Sequence, residues 1–350
     1  MESAVTHILP LTMIRRRRVL PVAGRVLVSD GQRVNATDVI AEARQPGQHF
    51  LVDVRRELGL AKIDQTEKLI GHAPGDRLEK DEIIAQTGGL FAQAVRSPAA
   101  GVIVTISAGR VLIETDSTPL QVRAGVTGTI REVIAEYGAV VEASGALVQG
   151  WLGNNQVDQG MLLMVARSPE DELVSSRLDV SMRGAVLVGG PCSQVDALKA
   201  AAELTLRGLI LSSVTADLIP VIQQASYPIV VVEGIGKMPF CREAYQILTT
   251  NEKRDVCVNA SAYQPYTGIR PELVVPLPGI GGLSNDAVEF APGKNVRILA
   301  APYASRSGTL VQVRPGKTRL KNGIHSAAGD VRLENNDIVT LPLANLDVLE

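Results

Sequence analysis

Three short stretches carry residue types suited to binding an anion. Gly189-Gly190-Pro191-Cys192-Ser193, Ser212-Ser213-Val214-Thr215 and Glu233-Gly234-Ile235-Gly236-Lys237 each close an apolar burst. Glycine lets a backbone approach a phosphate, a helix start presents free N–H groups, and serine adds donors. Gly189, Gly190, Ser193, Ser212, Ser213, Glu233, Gly234 and Gly236 are therefore the candidate ligand site, for a small anion or nucleotide. Neither Gly-x-Gly-x-x-Gly nor a Walker sequence is present, and Gly234-x-Gly236 alone is a short signal. The plain alternative makes these glycines turns, with Ser193 and Thr215 as helix caps. Cys192 sits beside a helix start, where a thiol pKa can fall, yet no histidine is close in sequence to serve as its base. A buried cysteine is the competing assignment. Glu233 at a strand end could donate or accept a proton, with no second carboxylate near it in sequence. No catalytic residue is assigned.

A different chemistry is written near the end of the chain. Arg306, Arg314, Lys317, Arg319 and Lys321 form a basic set. Lys317 to Lys321 reads as a loop, where cations can reach phosphates. Tyr303 is essentially the one aromatic nearby, and aromatics are 3% of the chain, so stacking surfaces for bases are scarce. A solvated barrel loop is the alternative. The net charge of -2 supplies no global field for nucleic acid or anionic membrane, leaving only local patches. Cys192, Cys241 and Cys257 show no CxxC spacing, and His7, His49, His72 and His325 are scattered. They read as free thiols in a reducing compartment, with no metal site. No cofactor is expected.

The anion-binding stretches need a scaffold, and from Gly184 onward the periodicity supplies one. Ala185-Val186-Leu187-Val188, Gly208-Leu209-Ile210-Leu211 and Pro228-Ile229-Val230-Val231-Val232 are continuous apolar runs, as buried parallel strands show. Helices are expected from Ser193 to about Leu206, from Thr215 to Gln224, and near Arg242–Thr249. Alternating strand and helix demands right-handed crossovers and a parallel sheet. Residues 181–255 thus read as a small Rossmann-like α/β domain.

Upstream, one phrase is written three times: Gly31-Gln32-Arg33-Val34-Asn35-Ala36-Thr37-Asp38-Val39-Ile40-Ala41, Gly75 to Ala85, and Gly138 to Val148. Each predicts a glycine turn, a short strand, a second turn and another short strand. Ser97-Pro98-Ala99-Ala100-Gly101-Val102-Ile103 and Arg123 to Ile130 both run through a small residue and a glycine into a strand. This opening followed by the phrase resembles the half-motif of biotinyl and lipoyl domains. It is similar to the barrel-sandwich hybrid modules inserted in machines such as the large RNA polymerase subunits. The resemblance implies such a domain over 19–155, with an insertion near 44–95. Carriers of that family hold a lysine on the hairpin between the halves. The closest phrase here, Ile40-Ala41-Glu42-Ala43-Arg44-Gln45, has Gln45 in that place. Neither arginine nor glutamine forms the amide to biotin or lipoate, so a carrier role is disfavoured. Lys62, Lys68 and Lys80 read as solvated surface.

At the other end, Val296-Arg297-Ile298, Gly308, Leu310-Val311 and the closing Pro342 to Leu346 resemble the KOW modules of transcription and ribosomal proteins. That implies a five-stranded SH3-like barrel over 293–350. The rest is read as connection. Residues 1–18 are a basic tail around Arg15-Arg16-Arg17-Arg18, solvated or forming an edge strand. Residues 156–180 are a connector, and 256–292 a proline-rich linker or edge strand with Gly279-Ile280-Gly281-Gly282 as a loop. The expected fold class is multidomain β and α/β: a barrel-sandwich hybrid, a small Rossmann-like parallel α/β domain and a C-terminal SH3-like barrel. The expected function is a non-catalytic, cytoplasmic adaptor or scaffold for protein partners, linked by resemblance to transcription or translation. A ligand sensor or enzyme at the α/β strand ends and a nucleic-acid binder through the C-terminal barrel are the alternatives. No run of 18 apolar residues occurs, so no membrane insertion is expected. The oligomeric state is left open.

Overall fold

Val157–Met164 is the strand on which the largest sheet changes character. In the computed structural model, which describes residues 2–44, 47–89, 92–116, 119–264, 268–279, 281–282 and 287–349, its first five residues pair antiparallel with Asp255–Asn259. Its last three pair parallel with Val186–Gly189. Parallel pairing continues through Gly208–Val214 to Ile229–Ile235. On the other side the sheet runs antiparallel through Glu272–Pro276 and Gly138–Gln149 to Gly128–Ile134 and Arg33–Val34. The stretch read as a connector therefore contains a central strand. In sequence alone, Asp158 and Gln159 look like loop residues. Both are occupied: Asp158 holds Arg207, and Gln159 accepts bonds from the Ala36 N–H and the Thr127 hydroxyl.

The apolar runs are covered on both faces, as their continuous hydrophobicity requires. Val186, Val188, Ile210, Val230 and Val232 share a core with Ala244, Ile247 and Leu248 of the helix Arg242–Thr250. The alternate residues Leu187, Leu209, Leu211 and Val231 face Ala197, Leu198 and Ala201 of Val195–Glu203, and Ile222 of Ile219–Gln224. The first of these helices starts one residue later than expected, capped by Gln194 with no side-chain bond. Thr215 likewise makes no side-chain cap bond.

The basic tail is a strand. Ile8–Val19 pairs along Gly138–Gln149 from Gly138↔Val19 to Val148↔Ile8. Strand alternation sends neighbouring side chains to opposite faces: Arg15 and Arg17 are exposed, while Ile14 is buried and Arg16 and Arg18 are partly so. The proline-rich stretch also differs from expectation, because Glu272–Pro276 has partners on both sides. Pro271 precedes the strand and Pro276 ends it, so the four residues between them keep their ladder donors. A second sheet has the order Ala287–Glu289, Glu2–Thr6, Leu346–Leu349, Asn295–Ile298, Ser307–Val313, Ala328–Leu333, Ile338–Pro342. Its core is Val296, Ile298, Leu310, Val331, Leu333, Leu343, Leu346 and Val348.

The chain clusters into two compact units: Met1–Val19 with Val26–Ala41 and Val122–Glu350, and Leu20–Arg25 with Glu42–Gln121. The second has its own core, with Val52, Val54, Leu78, Ile84, Ile103, Val111 and Ile113 buried in it. One copy of the repeated phrase in each unit, Gly31 to Ala41 in the larger and Gly75 to Ala85 in the smaller, is paired the same way. Gly31 N–H donates to the Ile130 carbonyl and Ile130 N–H to that of Gln32; Gly75, Ile103 and Asp76 repeat this. Gly128 pairs with Val34 as Gly101 pairs with Leu78. In the turns, Asp38 accepts from the Asn35 N–H and Glu82 from the Glu79 N–H.

The third copy does not turn. Gly138–Gln149 is one strand, and Gly145 stands where the others have the capping carboxylate. A Cβ there would lie 2.1 Å from the Val275 carbonyl oxygen, so this glycine serves close strand approach.

Candidate functional site

The three predicted loops do meet at the ends of the parallel strands, and the protein's own chain fills the place where a ligand would sit. A Cβ on Gly190 would fall 2.1 Å from the Asp171 carbonyl oxygen, and one on Gly189 3.0 Å from the Leu173 side chain. Leu173 N–H also donates to the Pro191 carbonyl. The Ser193 hydroxyl donates to Glu172, whose other oxygen is 2.9 Å from Lys237 Nζ. Those two donors hold the Glu172 carboxyl below its usual range. Ser212 and Ser213 each donate to the Met238 carbonyl at 2.8 Å, and Met238 N–H donates back to Ser213. Gly234 and Gly236 have φ of 127° and 132°, conformations that glycine adopts freely. The donors expected to face an anion are thus spent on the chain itself. Cys192 is buried, and burial pushes its thiol up, away from the reactive thiolate considered for a helix start.

Glu233 belongs to a sealed ionic node. Its Oε1 accepts from the Cys241 N–H at 2.8 Å, and its Oε2 from Arg297 Nη1 at 3.0 Å. Arg297 Nη2 donates to Asp347 at 2.8 Å, and Asp347 also accepts from the Thr6 hydroxyl. The side chains of Arg297, Glu233 and Asp347 are 1%, 0% and 6% exposed. Burial alone would lower the arginine's pKa, but Glu233 and Asp347 raise it above its ordinary value. One cation answers two carboxylates.

A second node inverts the ratio. Glu272, 2% exposed, receives Arg16 Nε and Arg18 Nη2, both at 2.8 Å. Burial alone would raise its pKa, yet the two guanidiniums hold it below the usual carboxylate range. These arginines come from the run expected to form a solvated tail or an edge strand.

The C-terminal basic set separates into three environments. Arg314 is bound to Asp330 at 2.9 Å, and Asp330 also receives Gln312 and Thr340. Arg306 lies over the Tyr303 ring, 5.9 Å from its centroid, beside a cleft of about 890 Å³ also lined by Phe240, Arg242, Tyr245 and Glu334. Lys317, Arg319 and Lys321 are exposed around the hairpin Thr318–Arg319/His325–Ser326. One signal visible in the sequence went unread: no Asp or Glu occurs between Glu289 and Asp330.

Among the described residues no group of three or more His, Cys, Asp or Glu could hold a metal ion, and no helix is long and apolar enough to cross a membrane. Gln45 and Ile280 lie outside the described residues. No protein-family model matches the chain, and no curated protein is detectably similar to it.

Proposed function

We propose that this protein is a non-catalytic adaptor that holds a protein partner against a sheet edge of the inserted unit. The observation that carries the reading is the strand His49–Asp53. It ends the sheet His49–Asp53, Arg110–Thr115, Gly101–Ser107, Arg77–Leu78, so one row of its backbone groups has no ladder partner among the described residues. At its centre Leu51 is 62% exposed, directly across from Leu112. An open edge with an apolar centre is a template for an added strand. The filling of the parallel strand ends by residues 171–173 and 238 supports the non-catalytic part. In this reading, 19–155 holds a barrel-sandwich hybrid, 181–255 a Rossmann-like domain and 293–350 an SH3-like barrel. The twice-used phrase, the parallel strands with helices on both faces, and the antiparallel C-terminal ladder favour these assignments. Resemblance at both ends points to the transcription or translation machinery, an associational argument.

The test is capture from native lysate with the tagged full chain, with and without nuclease. A protein partner should survive nuclease and be lost with Leu51→Lys, a change at an exposed position that leaves the core intact. Failure to retain any protein after nuclease would sink the adaptor reading; equal capture by Leu51→Lys would remove the edge from it.

A further inference from the structure

The hairpin Thr318–Arg319/His325–Ser326 has a composition and geometry that the adaptor reading does not use. Lys317, Arg319 and Lys321 are exposed and alternate with the half-buried Thr318 and Leu320. Such alternation is what period-two backbone produces when one face rests on the protein and the other faces water. His325 stands directly across from Arg319, and Leu320 N–H donates to the Ile324 carbonyl at 2.8 Å, extending the ribbon toward its tip. None of the three cations makes an ion pair among the described residues, whereas Arg314, at the base, is bound to Asp330. The nearest acidic residues in sequence on either side are Glu289 and Asp330, and Asp330 is already held by Arg314, Gln312 and Thr340. The chain as a whole has a net charge of -2, so this face is a local positive field on a nearly neutral molecule.

We propose that this ribbon docks on the phosphate backbone of duplex DNA without reading sequence. From Lys317 to Lys321, where the chain enters the turn, is four residue steps, at most on the order of 13 Å. A DNA strand sets its phosphates about 3.4 Å apart along the helix axis, so the row covers roughly four of them. A two-stranded ribbon is of a width that the major groove admits. Single strands are the poorer fit. They are held largely by stacking on aromatic rings, and the one aromatic nearby in sequence, Tyr303, already has Arg306 over its ring. Three cations facing phosphates give an expected slope of log K against log salt of about -2.7.

The experiment is fluorescence anisotropy of a labelled DNA duplex titrated with the full-length protein over a salt series. Binding should weaken with the stated slope and disappear with Lys317→Glu/Arg319→Glu/Lys321→Glu. It should persist with Lys317→Arg/Arg319→Lys/Lys321→Arg. Circular dichroism and thermal unfolding check that both variants fold; should the charge-reversed one fail, Lys317→Gln/Lys321→Gln replaces it, with a slope about 1.8 shallower expected. Absence of binding at low salt overturns the proposal. So does unchanged binding by a folded reversed variant, or equally tight binding to polyglutamate or to phosphatidylserine vesicles. Because the purified protein is used with no partner, failure here leaves the edge strand untouched.

Discussion

The two buried ionic nodes are built from the same chemistry in opposite proportion. Arg297 is one cation between two carboxylates, all three sealed; Glu272 is one carboxylate between two arginines that are 16% and 13% exposed. Removing the central group therefore leaves different debris. Without Arg297, Glu233 and Asp347 remain buried with no cation to answer them. Without Glu272, Arg16 and Arg18 have long, partly exposed stems that can carry their charge outward. The sealed node is thus the more brittle, although both use ion pairs of similar length.

The sharpest way to break that contrast is at its centres. Arg297→Met should lower the stability of the larger unit by about 3–5 kcal/mol, read as a fall in the urea midpoint. Glu272→Gln should cost roughly 1–3 kcal/mol in the same assay, and equal losses would refute the asymmetry. The second variant also separates the nodes by pH. The folded Glu272 pKa is depressed, so its contribution is complete above the unfolded value and is lost as pH falls through the folded one. The stability gap between the parent protein and Glu272→Gln should therefore narrow on acidification from about pH 5 to pH 3. The smallest effect calibrates the scale: Arg242 and Glu334 are paired at 3.2 Å but 75% and 65% exposed, and Arg242→Ala should shift the midpoint by less than about 0.5 kcal/mol.

How far the fold could be read from sequence depended on how locally each element was specified. The apolar runs at 186–189, 208–214 and 229–235 and the helices between them declare themselves through period and turns. The phrase at Gly31 and Gly75 is likewise legible, because its carboxylate caps lie within the turn. Its third writing misled: Gly145 differs from Asp38 and Glu82 by one side chain, and its role depends on Val275, 130 positions away. Val157–Met164 was hidden for a related reason, since Asp158 is polar in isolation and only Arg207 makes it compatible with a central strand. Arg15 to Arg18 shows the same limit, because nothing local announces Glu272. In the candidate site, the three loops adjoin at the strand ends, while the segment that fills them, Asp171 to Leu173, carries no motif. The basic hairpin was visible as charge, and only the structure separates Arg306 and Arg314 from the three free cations.

The nesting of one phrase inside the other also fixes an order of synthesis. On a ribosome, residues 75–85 and 97–103 emerge close together, and the four-stranded sheet of the inserted unit has all its strands once Thr115 is made. The enclosing copy must hold Arg33–Val34 unpaired until Gly128–Ile134 appears. Glu2–Thr6 waits longer still, first for its antiparallel neighbour Ala287–Glu289 and then for its parallel one, Leu346–Leu349. Until those strands are made, the nascent chain carries Glu2–Thr6 without its partners, a demand for shielding that the finished molecule no longer displays.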